Sequence, residues 1–159
     1  MAADPRPVPE LTRQERVDLG VSRRLPRASS RANRLVFRLS RGRIGSRKRG
    51  IPIGLLTTTG RASGRPRTVP LMYLADGGRY LVVASNGGRA APPAWQRNLE
   101  ADPDAVFEPA GGRVEVRARV VDADEKRALW PRLVAHNPLW AHYQAATSRE
   151  IAVVSLEAR

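Results

Sequence analysis

Residues 113–121, RVEVRARVV, alternate between two kinds of side chain: Arg113, Glu115, Arg117 and Arg119 against Val114, Val116, Ala118 and Val120. A period of two sends successive side chains to opposite faces, so this run is a strand with one wet face and one dry face, the pattern of an antiparallel sheet. Five further runs join it: IGLLTTT (53–59), RTVPLMYLA (67–75), RYLVVAS (79–85), DAVFEPA (104–110) and EIAVVSLE (150–157). The first two flank a turn rich in glycine and proline, and DGG at 76–78 turns the second into the third.

Three helices interrupt the strands. PPAWQRNLEAD (92–102) has prolines suited to a first turn and sets Trp95, Asn98 and Leu99 on one face. DADEKRALWPRLVAH (122–136) opens with Asp122 and Glu125 as a capping box and buries Leu129, Leu133 and Val134, while Pro131 predicts a kink or an early stop. NPLWAHYQAAT (137–147) restarts at Pro138 and brings Trp140 and Tyr143 close together. Six strands with helices inserted late predict a mainly β, α+β architecture: a small antiparallel barrel or strongly coiled sheet, not a parallel doubly wound fold.

A chain of 159 residues suffices for one domain with its own core. The absence of cysteine excludes disulfides and thiolate chemistry. The first 20 residues contain no apolar stretch of signal-peptide length and no run approaches the roughly 18 residues of a spanning helix, so the expected location is the cytoplasm. Residues 1–30, with Pro5, Pro7, Pro9 and Pro26, read as a flexible basic arm, and residues 31–159 as a single domain. Within residues 31–50, Ala32, Leu35, Val36 and Leu39 recur at helical spacing among Arg31, Arg34, Arg38 and Arg41. Such a basic amphipathic helix either closes one end of the domain or lies on an anionic membrane surface, which would make the protein peripheral at the inner face of the cell membrane.

The net charge of +13 is concentrated. Between Asp18 and Asp76 lie 57 residues without an acid and with 14 bases, whereas residues 76–159 carry 11 bases and 11 acids. This block reads as an anion-facing surface. Its centre is LTTTGRASGRPRTVPL (56–71), where glycines let backbone amides approach a ligand, hydroxyls donate, and Arg61, Arg65 and Arg67 can fork onto anionic oxygens. It is not a phosphate-binding Walker loop, because no Gly-Lys-Ser/Thr follows and the next segment is a strand. A second loop, ASNGGRAAPPAW (84–95), places Ser85, Asn86 and two glycines just before a helix start, another position suited to an anion.

Catalytic constellations are otherwise scarce. His136 and His142 lack the spacing of a metal pair, no metal site is expected, and no nucleophile elbow or dinucleotide fingerprint occurs. An enzyme built on these residues borrows its chemistry from a cofactor.

The blocks LLTTTGRASGRPRTVPLMYLADGGRYLVVASNGG, PPAWQRNLEADPD and ATSREIAVVSLE, taken in that order, resemble the deazaflavin-dependent nitroreductase family, which includes F420H2-dependent quinone reductases. The resemblance runs from about Arg34 to the C-terminus and implies a split β-barrel of the FMN-binding split-barrel type. It implies coenzyme F420 as cofactor, held by Arg61, Ala62, Ser63, Arg67, Thr68, Val69, Pro70, Leu71 and Met72. Val83, Ala84, Ser85 and Asn86 would contribute from the second loop, and Ala94, Trp95, Gln96, Arg97 and Asn98 from the helix after it. The implied reaction is hydride transfer from the reduced deazaflavin to a small electron-poor acceptor, a quinone or a nitro compound. Tyr143 is the candidate wall or proton donor of the acceptor pocket, with Trp140 beside it.

Family members often carry lysine where Asn86 stands, which makes Arg89 the candidate replacement contact. Where nitro-reducing relatives have a cluster of tyrosines this chain has Asn137, Trp140 and Tyr143, so a changed acceptor pocket is expected. Two other readings remain at this stage: a split-barrel reductase using FMN, and a non-catalytic basic module for membrane or nucleic acid. Nucleic acid is disfavoured, since Phe37 and Tyr73 are the only aromatics in the acid-free block and offer no base-stacking platform. Oligomeric state is left open.

Overall fold

The computed structural model describes Glu10, Thr12, Arg47, Lys48 and residues 50–159, so the arm expected over 1–30, apart from those two residues, and the helix expected around Ala32–Leu39 lie outside the described residues. Seven strands follow in chain order: β1 (Arg47–Lys48), β2 (Ile51–Thr59), β3 (Pro66–Asp76), β4 (Arg79–Val83), β5 (Asp104–Glu108), β6 (Val114–Val120) and β7 (Val153–Ala158). Three α-helices are interleaved, α1 (Ala94–Ala101), α2 (Ala123–His136) and α3 (Leu139–Ala145). The six expected strands are present. β1 is an addition that sequence patterning missed, a two-residue hairpin partner of Ile51–Pro52 that turns through Gly50 at φ +79.

All pairings are antiparallel, in the order β1-β2-β3-β4-β7-β6-β5, and β5 returns to pair with β2. The sheet therefore closes into a six-stranded barrel, with β1 appended along the edge of β2 that β5 leaves uncovered at Ile51–Pro52. Closure gives each barrel strand a neighbour on both sides, although β4 covers β3 only over Tyr73–Asp76.

Alternation distributes the apolar side chains between two cores. Leu56, Tyr73, Val82, Phe107, Val116, Val154 and Leu156, one or more from each barrel strand, form the interior cluster. Tyr73 and Phe107 meet edge to face at 5.2 Å there. A Cβ added at Gly54 would stand inside the Phe107 ring, so the glycine is what lets β2 and β5 approach. The other parity of the same strands, Leu81, Val83 and Val153, faces outward and is covered by Leu129 and Leu133 of α2 and by Leu139, Trp140 and Tyr143 of α3.

Three local expectations are corrected. Pro131 does not end α2: it sits exposed within the continuous helix, and Leu129 and Leu133 on either side of it anchor both halves in the outer core. Asp122 does cap that helix, accepting from the Glu125 N–H at 2.8 Å, but the Glu125 carboxylate is turned to Arg79 and Arg119 instead of completing the box. Val120 is 49% exposed and Val134 only half-buried, because the apolar parity of β6 and of α2 runs past the edge of what covers it.

Candidate functional site

The strand order brings three connections to one end of the barrel. The β2–β3 loop joins the end of β2 to the start of β3; β4, antiparallel to β3, runs toward that end, but its last pairing with β3 is Val82 with Tyr73, well short of Pro66, and β7 starts beside it, with Val83 paired to Val153. The β2–β3 loop (60–65), the β4–α1 loop (84–93) and the α3–β7 linker (146–152) thus leave the barrel in the same direction as a stepped rim, and α1, which continues the second loop, meets the first through Asn98 while Trp95 and Leu99 pack into the interior.

The β2–β3 loop is tightly wound on itself. Gly60 accepts from the Ser63 and Gly64 N–H groups, donates to the Arg65 carbonyl, and its environment leaves no room for a side chain, since a Cβ would lie 2.9 Å from Ser63 Oγ and 3.0 Å from the Arg65 oxygen. Arg65 N–H donates to Ser63 Oγ, and Arg61 N–H donates to Asn98 Oδ1 at 3.2 Å. The expectation that backbone amides here serve a ligand is therefore corrected: they hold the loop together. What the loop presents outward is its guanidinium groups. Arg61, Arg65 and Arg67 are exposed, none has a carboxylate partner among the described residues, and Arg67 rests one amino group on Ser63 Oγ. Ala62 and Ser63 are exposed between them.

Candidates on β3 divide by parity. Val69 and Leu71 pack on the interior cluster, whereas Met72 packs on the outer one and accepts from Asn137 Nδ2 at 3.3 Å. Thr68 joins Thr57 across the hairpin at 2.8 Å, and Pro70 is exposed. The two parities thus belong to different cores of the domain.

Helix α1 is fastened to the arginine loop by one buried residue. Asn98 is 4% exposed; besides accepting from Arg61 it donates to Thr58 Oγ1 at 3.0 Å, so both its amide oxygen and its amide nitrogen are bonded to the protein. Its place is to hold the loop against the helix. Ala94 and Arg97 are exposed on the outer side, Trp95 is buried, and Gln96 donates from Nε2 to Glu100 while its Oε1 is buried without a partner.

In the β4–α1 loop, Val83 and Ala84 are buried and Ser85 and Asn86 half-buried. Asn86 adopts a left-handed conformation at φ 48, and its Nδ2 donates to the Ala91 carbonyl at 2.8 Å, bracing its own loop. Gly88, at φ +75, lets the loop lie directly on α3, where a Cβ would come within 3.0 Å of Ala146 and 3.1 Å of the Tyr143 carbonyl. The second loop and the Tyr143 helix are therefore neighbours. Tyr143 (8% exposed) and Trp140 (3%) both pack in the outer core, and the Tyr143 hydroxyl has no partner among the described residues. Asn137 is buried, with its amide spent on Met72 and on the Leu139 N–H. His136 binds the Tyr73 carbonyl at 3.1 Å, a structural role.

Comparison with known proteins decides the family. The sequence pattern of the F420H(2)-dependent quinone reductases matches residues 29–158. The chain belongs to the F420H(2)-dependent quinone reductase family. An F420H(2)-dependent quinone reductase of Mycobacterium tuberculosis (strain H37Rv) is 42% identical over 129 residues, covering 78% of this chain and 86% of that protein. A solved F420-H2 dependent reductase superposes with a TM-score of 0.62 at 37% identity, over 67% of this chain and 94% of its own. A structure described as a domain-swapped dimer matches at a TM-score of 0.65 and 33% identity, over 80% and 94% respectively. The split barrel is the fold of this family's solved members, and the described strands reproduce it.

Within this member of the F420H(2)-dependent quinone reductase family, sequence reading missed Arg149. It lies in the α3–β7 linker, and its guanidinium donates to the carbonyls of Ala84, Ser85 and Arg89. Burial lowers its pKa from the ordinary arginine value. No pattern announces such a residue, because its partners are carbonyl oxygens more than 59 positions away.

Proposed function

We propose that this chain, an oxidoreductase using reduced coenzyme F420 as hydride donor, passes the hydride to a quinone or a similar electron-poor organic acceptor. The observation that carries the proposal is the set of three exposed guanidinium groups, Arg61, Arg65 and Arg67, without carboxylate partners among the described residues, on a loop whose backbone is tied to α1 through Asn98. That donor set suits the phosphate and glutamate carboxylates of the cofactor tail, which planar arginine forks engage two oxygens at a time. When bound, the reduced deazaflavin supplies a two-electron hydride, carbon standing where a flavin has the ring nitrogen.

The residues of the chain do the rest. Asn98 and Thr58 hold the arginine loop in place, and the β4–α1 loop with Ser85 and Asn86 forms the facing wall. Trp140 and the Tyr143 ring exclude water on the acceptor side, which strengthens every polar interaction nearby. Tyr143 Oη, not consumed by the protein among the described residues, holds the proton that a reduced carbonyl oxygen takes up. Residues 31–159 are read as one cofactor-binding domain and 1–30 as an arm; the basic stretch 31–50 suits an anionic membrane surface where a lipid-soluble quinone would be met. Among the described residues no helix is long and apolar enough to cross a membrane.

The test is a titration of the purified protein with oxidised F420 and, in parallel, FMN, followed by tryptophan fluorescence, since Trp95 packs beneath the rim. Saturable quenching by F420 at concentrations where FMN gives none is the expected result. Turnover of reduced F420 with a soluble quinone should then exceed turnover with a nitroaromatic, and Tyr143→Phe should lower kcat about 10²-fold with little change in cofactor affinity. Binding of FMN alone would overturn the cofactor assignment; an unchanged kcat in the variant would remove Tyr143 from the chemistry.

A further inference from the structure

The carbonyls of Ala84 and Ser85 lie where the β4 ladder ends. Ala84 N–H still donates to the Ala152 carbonyl, but the chain then leaves the sheet, and oxygens left without strand partners need donors from elsewhere. Gly88 N–H supplies one to the Ser85 oxygen, and a single side chain supplies the others. Arg149 Nη2 donates to the Ala84 and Ser85 oxygens, each at 2.9 Å, and Nε donates to the Arg89 oxygen at 3.0 Å, so a single planar group spans the loop from its first residue past its 3-10 turn at Asn86–Gly88.

The anchor is itself anchored. Arg149 N–H donates to Thr147 Oγ1, the Arg149 carbonyl accepts from Gln144 Nε2 at 2.9 Å, and Gln144 Oε1 accepts from the Ile151 N–H at 2.9 Å. Gln144 follows Tyr143 on α3, so the chain of contacts runs from the acceptor-side helix through Arg149 to the loop of Ser85 and Asn86. Unlike Arg79 or Arg119, Arg149 has no carboxylate partner among the described residues, although burial disfavours its charge. Lysine, a point donor, cannot reproduce the planar fork of Nε and Nη2.

We infer that Arg149 is a positioning residue of the cofactor site: it fixes the path of residues 84–89, in the loop that leads into α1, and couples that path to α3. The inference rests on the reading of the rim as the F420 site, and it assigns Arg149 no contact with the reacting atoms.

The experiment compares Arg149→Lys, Arg149→Gln and Arg149→Ala with wild type and with Arg79→Ala, a control arginine committed to ion pairs. Affinity for oxidised F420, cofactor KM, acceptor KM, kcat and thermal midpoint are measured on the full chain. Arg149→Gln should weaken F420 binding about tenfold or more, raising cofactor KM more than it lowers kcat, with Arg149→Lys recovering part of the loss. Millimolar guanidinium should restore affinity in Arg149→Ala and do nothing for Arg79→Ala, whose F420 affinity stays at the wild-type level. Wild-type affinity in Arg149→Gln, or equal losses in Arg79→Ala, would overturn the inference. If wild type itself does not bind F420, the cofactor reading fails, and amide hydrogen exchange over residues 84–89 still decides the clamp: faster in Arg149→Lys supports it, unchanged sinks it. Should Arg149→Ala not fold, Arg149→Lys carries both readouts.

Discussion

Arg61, Arg65 and Arg67, around the start of β3, stand exposed and without acids among the described residues, whereas Arg79, Arg119 and Arg132 converge on Asp76 and Glu125 around the other end of that strand. Arg67 and Asp76 are separated by roughly 30 Å of extended chain, several screening lengths at physiological salt, so the two sets do not share charge. In the second set Arg79 bridges Asp76 at 3.0 Å and Glu125, and Arg119 reaches Glu125 at 2.8 Å. Those cations are satisfied by the fold and bind its turn, helix and sheet together. Among the described residues, only the Arg67 guanidinium of the first set touches a protein acceptor, Ser63 Oγ, and none of the three meets a carboxylate. The contrast separates arginines that hold the protein from arginines that await an anion, which total charge cannot do.

The largest effect that would test the contrast is a crossed pair of substitutions. Arg67→Ala should weaken binding of oxidised F420 by roughly ten- to a hundredfold with an unchanged urea midpoint, the loss expected for charge-assisted hydrogen bonds. Arg79→Ala should instead cost about 1–3 kcal/mol of stability in urea unfolding, leaving carboxylates without their cation, with F420 affinity unchanged. If both variants lose affinity alike, the division is wrong.

A smaller effect is expected with pH. Hydrogen bonds from Arg119 and Arg79 hold the Glu125 carboxyl down to about 2 from 4.5, and those from Arg132 and Arg79 lower Asp76 in the same direction. A carboxyl depressed by folding contributes stability fully above its unfolded value, and that contribution drains away as pH falls through the folded one. Urea midpoints should therefore fall between pH 4.5 and about 2, and Glu125→Gln should flatten that limb. An identical acid limb in the variant would show that the cluster is idle.

The smallest effect concerns the arm. Removing residues 1–30 should leave F420 affinity at the wild-type value, because the three unpaired arginines and their supports all lie at or beyond Thr58. A large loss would place part of the binding surface in the arm.

The barrel was legible because alternation is a local signal: Val114, Val116 and Ala118 declare a dry face whatever they pack against. The arginine loop was legible for a similar reason, as composition alone marks 57 residues without an acid. What stayed hidden was decided at long range. Whether the Gly60–Arg65 amides face a ligand or one another depends on how the turn folds back. Pro131 misled because packing on both sides of it outweighs one lost helical bond. The service of Asn98 to Arg61, and of Arg149 to three carbonyls, joins residues 37 to 65 positions apart, and carbonyl partners leave no trace in side-chain identity.

The place of β7 between β4 and β6 has a consequence for the making of the protein. Translation reaches this strand after the other described strands, and the 69 residues between Val83 and Val153 make its pairing with β4 one of high loop entropy. Until it docks, β4 and β6 present bare hydrogen-bonding edges, and Arg149, just ahead of it, has no fixed loop to grip. A chain in which β7 has not docked is thus a sheet with a gap, and the docking of this strand completes both the barrel and the rim.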